Sequence, residues 1–172
     1  MSTAKTNDNI IQNLQSKNEG IVLKAIDDLR NKGNEKTLPA LLDLLVSTDN
    51  SLIHEAIKKV LFELKSSKAG DIIVEYLQND KSKGHRDILI SALWQSGIAC
   101  EGYLTLLTEL ACNENYLCAL EALTVIENME GALNEEEVME CIYTVNEALS
   151  EGNDNEKNKL LESLVVVLEG IR

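Results

Sequence analysis

One apolar stripe recurs five times along this chain, and it constrains the fold more than any other feature. Apolar or small residues at i, i+3, i+4 and i+7 lie on one side of an α-helix, so each stripe predicts an amphipathic helix with one buried side. The five stripes start at Val22, Ile53, Leu89, Ala119 and Leu161, spaced 31, 36, 30 and 42 residues apart. A spacing in this range predicts a repeated supersecondary unit.

A second set of stripes alternates with the first. Complete stripes start at Leu38, Tyr103 and Val138. A shorter version consists of Ile73, Tyr76 and Leu77, and a partial one of Ile10, Ile11 and Leu14. The single proline, Pro39, falls in the first turn of its stripe, where its missing N–H costs little. The two sets together predict an all-α chain of ten helices, arranged as about five helix pairs with short connections.

The residues between the stripes favour helix ends. Glycine tolerates the left-handed conformation that follows a helix, and we expect that conformation at Gly33, Gly97, Gly131 and Gly152. Short polar side chains accept hydrogen bonds from the first N–H groups of a helix, and we expect N-caps at Ser51, Asn115, Asn134 and Asn153. Glu137 and Glu156 follow the last two caps by three residues, which is the spacing of a capping box.

The stretch Gly33-Asn-Glu-Lys-Thr-Leu-Pro-Ala-Leu-Leu-Asp-Leu-Leu45, followed by Asp49-Asn-Ser-Leu-Ile53, is similar to a HEAT-like repeat. Ser91-Ala-Leu-Trp-Gln-Ser-Gly97 resembles the end of the second helix in that family. The resemblance implies a right-handed α–α superhelix, or solenoid, of about five HEAT-like pairs in one domain over residues 1–172. The irregular spacing of 30 to 42 residues argues against the tetratricopeptide repeat, whose period is fixed.

The charge of the chain is concentrated in one segment. The formal net charge is −13, from 16 basic and 29 acidic residues. Residues 87–156 contain no lysine or arginine and 15 acidic residues, so this segment accounts for the excess. Such a segment repels a phosphate backbone, and we therefore expect no nucleic-acid partner.

The sequence lacks the residue patterns that metal binding, redox chemistry and phosphate binding need. His54 and Glu55 are one adjacent metal-ligand pair, but a single imidazole and carboxylate do not fill a coordination shell, so we predict no metal and no cofactor. The four cysteines have no zinc or redox spacing, and no phosphate-binding glycine loop occurs. The sequence shows no signal peptide or membrane span, and we expect a cytoplasmic protein with reduced cysteines.

Two features have both a structural and a functional interpretation. Trp94 stands off the centre of its stripe, where it is either an exposed interface anchor or part of the core. Glu135, Glu136 and Glu137 either stabilise the positive end of a helix or form a docking surface for a basic partner. The sequence leaves both choices open.

A solenoid without a catalytic site most often binds another protein along its second helices. We therefore predict a non-enzymatic interaction scaffold whose acidic C-terminal half docks a protein with a basic surface. The candidate partner-binding residues are Asp28, Lys59, Trp94, Gln95, Glu121, Glu127, Asn128, Glu135, Glu136 and Glu137. One alternative is a HEAT-like enzyme or enzyme accessory of the lyase-subunit type with a ligand cleft. Another is a segment of a larger assembly.

Overall fold

The computed structural model describes residues 2–32, 35–64, 66–152 and 155–171. Within these ranges the chain forms helices joined by turns, with no strand among them, and the predicted all-α class is confirmed. The amphipathic stripes explain this result, because each helix can bury one apolar side only against another helix.

Ten α-helices follow one another in the described residues, as the two alternating sets of stripes predict. They are α1 (Ser2–Leu14), α2 (Glu19–Lys32), α3 (Leu38–Ser47), α4 (Ser51–Leu61), α5 (Ser67–Leu77), α6 (Arg86–Gln95), α7 (Leu104–Asn113), α8 (Tyr116–Glu127), α9 (Glu135–Ser150) and α10 (Asn155–Ile171). Two short 3₁₀ segments, Asp80–His85 and Glu101–Tyr103, precede α6 and α7 and were not predicted. Pro39 lies in the first turn of α3, as expected.

The chain divides into two compact units, which we call unit 1 (Met1–Ile98) and unit 2 (Ala99–Arg172). Unit 1 contains α1 to α6, and unit 2 contains α7 to α10. The single domain expected over residues 1–172 stays a prediction.

In unit 1 each helix packs against the next helix but one. α1 contacts α3, and α3 contacts α5, while α2 contacts α4, and α4 contacts α6. The two sets are joined because α1 also packs on α2, α3 on α4 and α5 on α6. The stripe residues Val22, Ile26, Ile53 and Ile57 are buried between these helices. Full burial of one such aliphatic side chain contributes about 1.5–3 kcal/mol.

Unit 2 has the same order of contacts. α7 packs on α8 and α9, α8 packs on α10, and α9 packs on α10. The core contains the stripe residues Ala122 of α8, Val138 and Val145 of α9, and Leu161 and Leu164 of α10. Each unit therefore consists of helix pairs laid side by side.

The glycine predictions have different outcomes. Gly97 and Gly152 follow α6 and α9 with φ of 67° and 74°, which confirms the left-handed conformation at both. The prediction for Gly131 is wrong, because its φ is not positive. Its backbone N–H donates to Glu101 Oε1 at 3.1 Å, and an added Cβ would lie 2.7 Å from Glu101 Cγ, so close approach explains this glycine. Gly33 lies outside the described residues.

The N-cap predictions hold for two asparagines and fail at one serine. Asn115 accepts from Cys118 N at 3.0 Å, and Asn134 caps α9, as expected. Ser51 is the first residue of α4, and the cap is Asn50, whose Oδ1 accepts from the next helical N–H groups at 2.9 and 3.3 Å. Asn153, the predicted N-cap of the second capping box, lies outside the described residues.

Two buried cations close helix ends. Arg86 donates from Nε to the carbonyl oxygen of Leu77, the last residue of α5, at 2.9 Å. Lys157 donates from Nζ to the carbonyl oxygens of Cys112 and Glu114 at the end of α7. A cation at a helix C-terminus satisfies carbonyls that have no partner within the helix and interacts favourably with the helix dipole.

Candidate interaction surface

The charge of the chain divides at the boundary between the units. Unit 1 contains 13 basic and 13 acidic residues, whereas unit 2 contains 3 basic and 16 acidic residues. Of the three cations in unit 2, Lys157 is buried, Lys159 is exposed and Arg172 lies outside the described residues. The surface of unit 2 is therefore strongly anionic, and its own cations cannot neutralise it.

Four of the predicted residues lie in unit 1, on α2, α4 and α6, the helices that carry the first set of stripes. Lys59 of α4 and Gln95 of α6 are exposed, and the side chain of Trp94 is 37% exposed, so Trp94 is not a core residue. Asp28 of α2 is half-buried and lines a shallow depression with Lys5 and other residues of α1. Asp28 thus faces α1, in a setting different from that of the exposed residues of α4 and α6.

Three predicted residues lie on α8 or at its end in unit 2. Glu121 is half-buried, while Glu127 and Asn128 are exposed at the end of the helix. The side-chain amide of Asn128 donates to the carbonyl oxygen of Thr124 at 2.7 Å. Asn128 therefore helps to end α8, in addition to being accessible.

The three glutamates at the start of α9 have different surroundings. Asn134 Oδ1 accepts from the N–H groups of Glu136 and Glu137 at 2.8 and 3.1 Å. The carboxylate of Glu137 is half-buried and accepts from Thr105 Oγ1 of α7 at 2.8 Å. Glu135 and Glu136 are exposed beside the positive end of the helix. All three lie in the first turn of α9, as the structural interpretation expects. Thr105 holds the carboxylate of Glu137, whereas the carboxylates of Glu135 and Glu136 are exposed and fit either interpretation.

The outer side of α9 carries apolar residues that the sequence interpretation missed. Met139 and Tyr143, one helical turn apart, are 46% and 66% exposed. A shallow depression is lined by Glu135, Glu136, Met139 and Glu140, so carboxylates surround the methionine. The signal was present, because Met139 and Tyr143 lie outside the buried stripe of this helix while keeping the i, i+4 spacing.

The four cysteines lie in unit 2 and are all buried as free thiols. Burial raises the pKa of Cys100 and of Cys112 to about 11, and it raises the pKa of Cys141 as well. Because the thiolate is the reactive form, these thiols are weak nucleophiles near neutral pH. Their positions fit the packing role that their spacing suggested.

The two histidines, which are distant in sequence, meet in unit 1. Their ring centroids are 5.2 Å apart in an edge-on arrangement, and His54 Nε2 lies 2.8 Å from the carbonyl oxygen of Thr48. Burial, and then the charge of His54, lower the pKa of His85. No cluster of three or more metal-ligating side chains occurs among the described residues.

A depression of about 350 Å³ lies in unit 1, among α2, α3, α4 and α5. Its lining is mainly apolar and includes Leu38, Leu41 and Val60. Arg30 and Glu63 form an ion pair at its rim. The described lining residues include no cysteine and no histidine.

No family model matches this sequence, and no curated protein matches it. The likeness to HEAT-like repeats therefore depends on the residues quoted above. Across the described part of the chain, no helix has both the length and the apolar content that crossing a bilayer requires.

Proposed function

We propose that this protein is a non-enzymatic interaction scaffold, a right-handed HEAT-like solenoid whose acidic unit 2 docks a partner with a basic surface. The observation that carries the proposal is the division of charge, with unit 1 neutral and unit 2 bearing the whole excess of −13. A surface of one sign raises the rate at which oppositely charged proteins associate. We place this function in the cytoplasm.

The contacts within each unit support the scaffold part of the proposal. The helices of unit 1 pack in two rows, one of α1, α3 and α5 and one of α2, α4 and α6. Within unit 2, α7 with α9 and α8 with α10 repeat that order. Stacked pairs of this kind present extended surfaces for binding. The four cysteines are buried, and the raised pKa of Cys100, Cys112 and Cys141 favours packing over nucleophilic catalysis.

The test is affinity capture by the full chain with cross-linking, at low salt and at about physiological salt, where the Debye length is about 8 Å. The unit 2 variant is Glu135→Gln with Glu136→Gln, which spares the Glu137 contact with Thr105. The matched control in unit 1 is Asp71→Asn with Glu75→Gln, both on exposed positions of α5.

We expect captured proteins to cross-link to residues 99–172, to be released as salt rises and to be reduced by the unit 2 variant alone. Cross-links confined to unit 1 would remove the acidic unit from the proposal. Capture of nothing beyond the background of an empty resin would overturn the scaffold itself.

A second candidate is a HEAT-like enzyme or enzyme accessory with a ligand cleft, and the depression in unit 1 is the observation that favours it. Its apolar lining and the Arg30–Glu63 pair at the rim resemble the mixture found in ligand sites. The anionic dye anilinonaphthalene sulfonate, which has an apolar ring system, should gain fluorescence there. Arg30→Glu, at an exposed lining position, replaces the cation next to the dye by an anion and should reduce the gain if the candidate is correct. Unchanged fluorescence in the native chain contradicts it.

A further inference from the structure

The outer side of α9 combines exposed apolar residues with carboxylates. Met139 and Tyr143 lie on one side of the helix, one turn apart, and both are exposed although they are large. The helix buries its opposite side through Val138, Cys141 and Val145, against α7 and α10. Met139 and Tyr143 are therefore not needed for the packing of α9.

Carboxylates lie before, between and after this apolar pair on α9. We call the set the acidic–apolar face, and its members are Glu135, Glu136, Met139, Glu140, Tyr143 and Glu147. The carboxylate of Glu147, one turn further along the helix, raises the pKa of the Tyr143 hydroxyl. The face thus has acidic residues at its start, beside its methionine and one turn beyond its tyrosine.

The charge of the face selects among possible occupants. A second copy of this chain would bring another unit with 16 acidic and 3 basic residues against it, and like charges oppose that contact. A cationic surface without apolar groups would leave Met139 and Tyr143 in water. An amphipathic helix with apolar residues on one side and Lys or Arg beside them satisfies both features, as in helix recognition on apolar surfaces.

We propose that the acidic–apolar face of α9 binds a cationic amphipathic helix of a partner protein. Apolar side chains of that helix cover Met139 and Tyr143, and its Lys or Arg residues pair with Glu136, Glu140 and Glu147. This inference rests on the proposed function, because it specifies where unit 2 docks a basic partner and what shape the partner has.

The probe is a synthetic peptide of about 18 residues, a length that gives roughly five helical turns. It contains only Leu and Lys, with Leu at i, i+3, i+4 and i+7. The control peptide has the same composition in an order that gives no apolar side. Each is titrated into the full chain labelled with ¹³C at the methionine methyl groups, of which the chain has three.

We expect the methyl resonance of Met139 to shift with the amphipathic peptide, while that of the half-buried Met129, before α9, shifts little. Met139→Gln with Tyr143→Gln should weaken binding about tenfold or more, as expected for central interface side chains. The matched control is Val166→Gln on α10, where Val166 is 68% exposed, and it should leave affinity unchanged.

The carboxylates are tested by Glu136→Gln with Glu140→Gln, against Glu162→Gln with Glu169→Gln on exposed positions of α10. The double substitution at Glu136 and Glu140 should weaken peptide binding several-fold at low salt and reduce the salt dependence of the affinity. The double substitution on α10 should have a much smaller effect on both.

Equal binding of the two peptides would overturn the inference, because charge alone would then explain the complex. Binding that shifts other resonances of unit 2 and tolerates Met139→Gln with Tyr143→Gln would also overturn it, while leaving the proposed function in place. Failure of the captured proteins to cross-link to residues 99–172, in the experiment described above, would instead remove the acidic unit from the proposed function.

Discussion

Unit 1 and unit 2 use the same helix packing and differ in their surfaces. Unit 1 balances its charges and forms surface ion pairs, such as Lys58 with Glu55 at 2.9 Å. In unit 2 residues 99–156 contain no lysine or arginine to make such pairs. Since surface pairs contribute about 0–1 kcal/mol each, their presence does not decide the fold. The comparison teaches that the apolar stripe specifies helix packing and leaves the surface charge available for function.

The largest expected effect concerns the buried cation of unit 2. Lys157→Met leaves the carbonyl oxygens of Cys112 and Glu114 without their donor. Because hydrogen bonds from charged groups contribute about 1.5–3 kcal/mol, we expect the free energy of unfolding to fall by about 2–3 kcal/mol. Urea unfolding followed by circular dichroism measures it, and hydrogen exchange should rise at the end of α7.

Lys159→Met is the matched control, because Lys159 lies two residues further on and is exposed. It should change the free energy of unfolding by less than about 0.5 kcal/mol, as surface substitutions usually do. An equal loss in the two variants would show that net charge matters and the contacts of Lys157 do not.

The helix caps allow a direct comparison between units. Asn50→Ala in unit 1 and Asn134→Ala in unit 2 each remove a side chain that accepts from two backbone N–H groups. We expect each to reduce the free energy of unfolding by about 1 kcal/mol, with faster hydrogen exchange in the first turn of α4 or α9. Asn50→Ala should also affect the start of α2, because Asn50 Nδ2 donates to Glu19 Oε2 at 2.6 Å. Exchange that rises equally in both helices in either variant would contradict local capping.

A smaller effect is expected at the contact between Gly131 and Glu101. Gly131→Ala places a methyl group against Glu101 and displaces its carboxylate from the Gly131 N–H. Because the side chain of Glu101 can move, we expect a loss of only about 0.5 kcal/mol in thermal unfolding. Gly102→Ala, where an added Cβ meets nothing within 4 Å, is the control and should be neutral.

The smallest effect is a pH dependence of unit 1, which contains both histidines. The folded pKa of His85 is below its unfolded value of 6.5, so the unfolded chain binds more protons between the two values. The stabilisation from neutral His85 is therefore complete above about pH 6.5 and is lost as pH falls through the folded pKa. The protection factors of the α6 amides, which are corrected for the pH dependence of intrinsic exchange, should fall on acidification, and His85→Asn should flatten that fall. A fall of the same size in the variant would assign the effect to other groups.

The sequence was sufficient to predict features that depend on residues close together in the chain. The stripes predicted all ten described helices, and Asn115 and Asn134 cap as expected because a cap depends on neighbouring residues. The prediction of an N-cap at Ser51 was wrong because Asn50, one position earlier, has a side chain that can cap in the same way. The prediction for Gly131 failed because its reason is a distant side chain, Glu101.

The candidate surface was only partly predictable for a related reason. The acidic segment is readable in the sequence, and Glu135 and Glu136 are exposed. The contact of Glu137 with Thr105, 32 residues earlier, and that of Lys157 with the end of α7 depend on how helices pack. Exposure of Met139 and Tyr143 depends on which side of α9 is covered by α7 and α10. The sequence of α9 alone does not show which apolar residues lie on that side.

The burial of all four thiols in unit 2 has a consequence for oxidation chemistry. Cys100, Cys112, Cys118 and Cys141 are enclosed by helices, so a peroxide or alkylating reagent reaches them only when those helices open. Their modification rate at high reagent concentration is then limited by the opening of the helices. It varies little with the reactivity of the reagent. Unit 1 has no cysteine, so the rate at which titratable thiol is lost reports the opening of unit 2 alone.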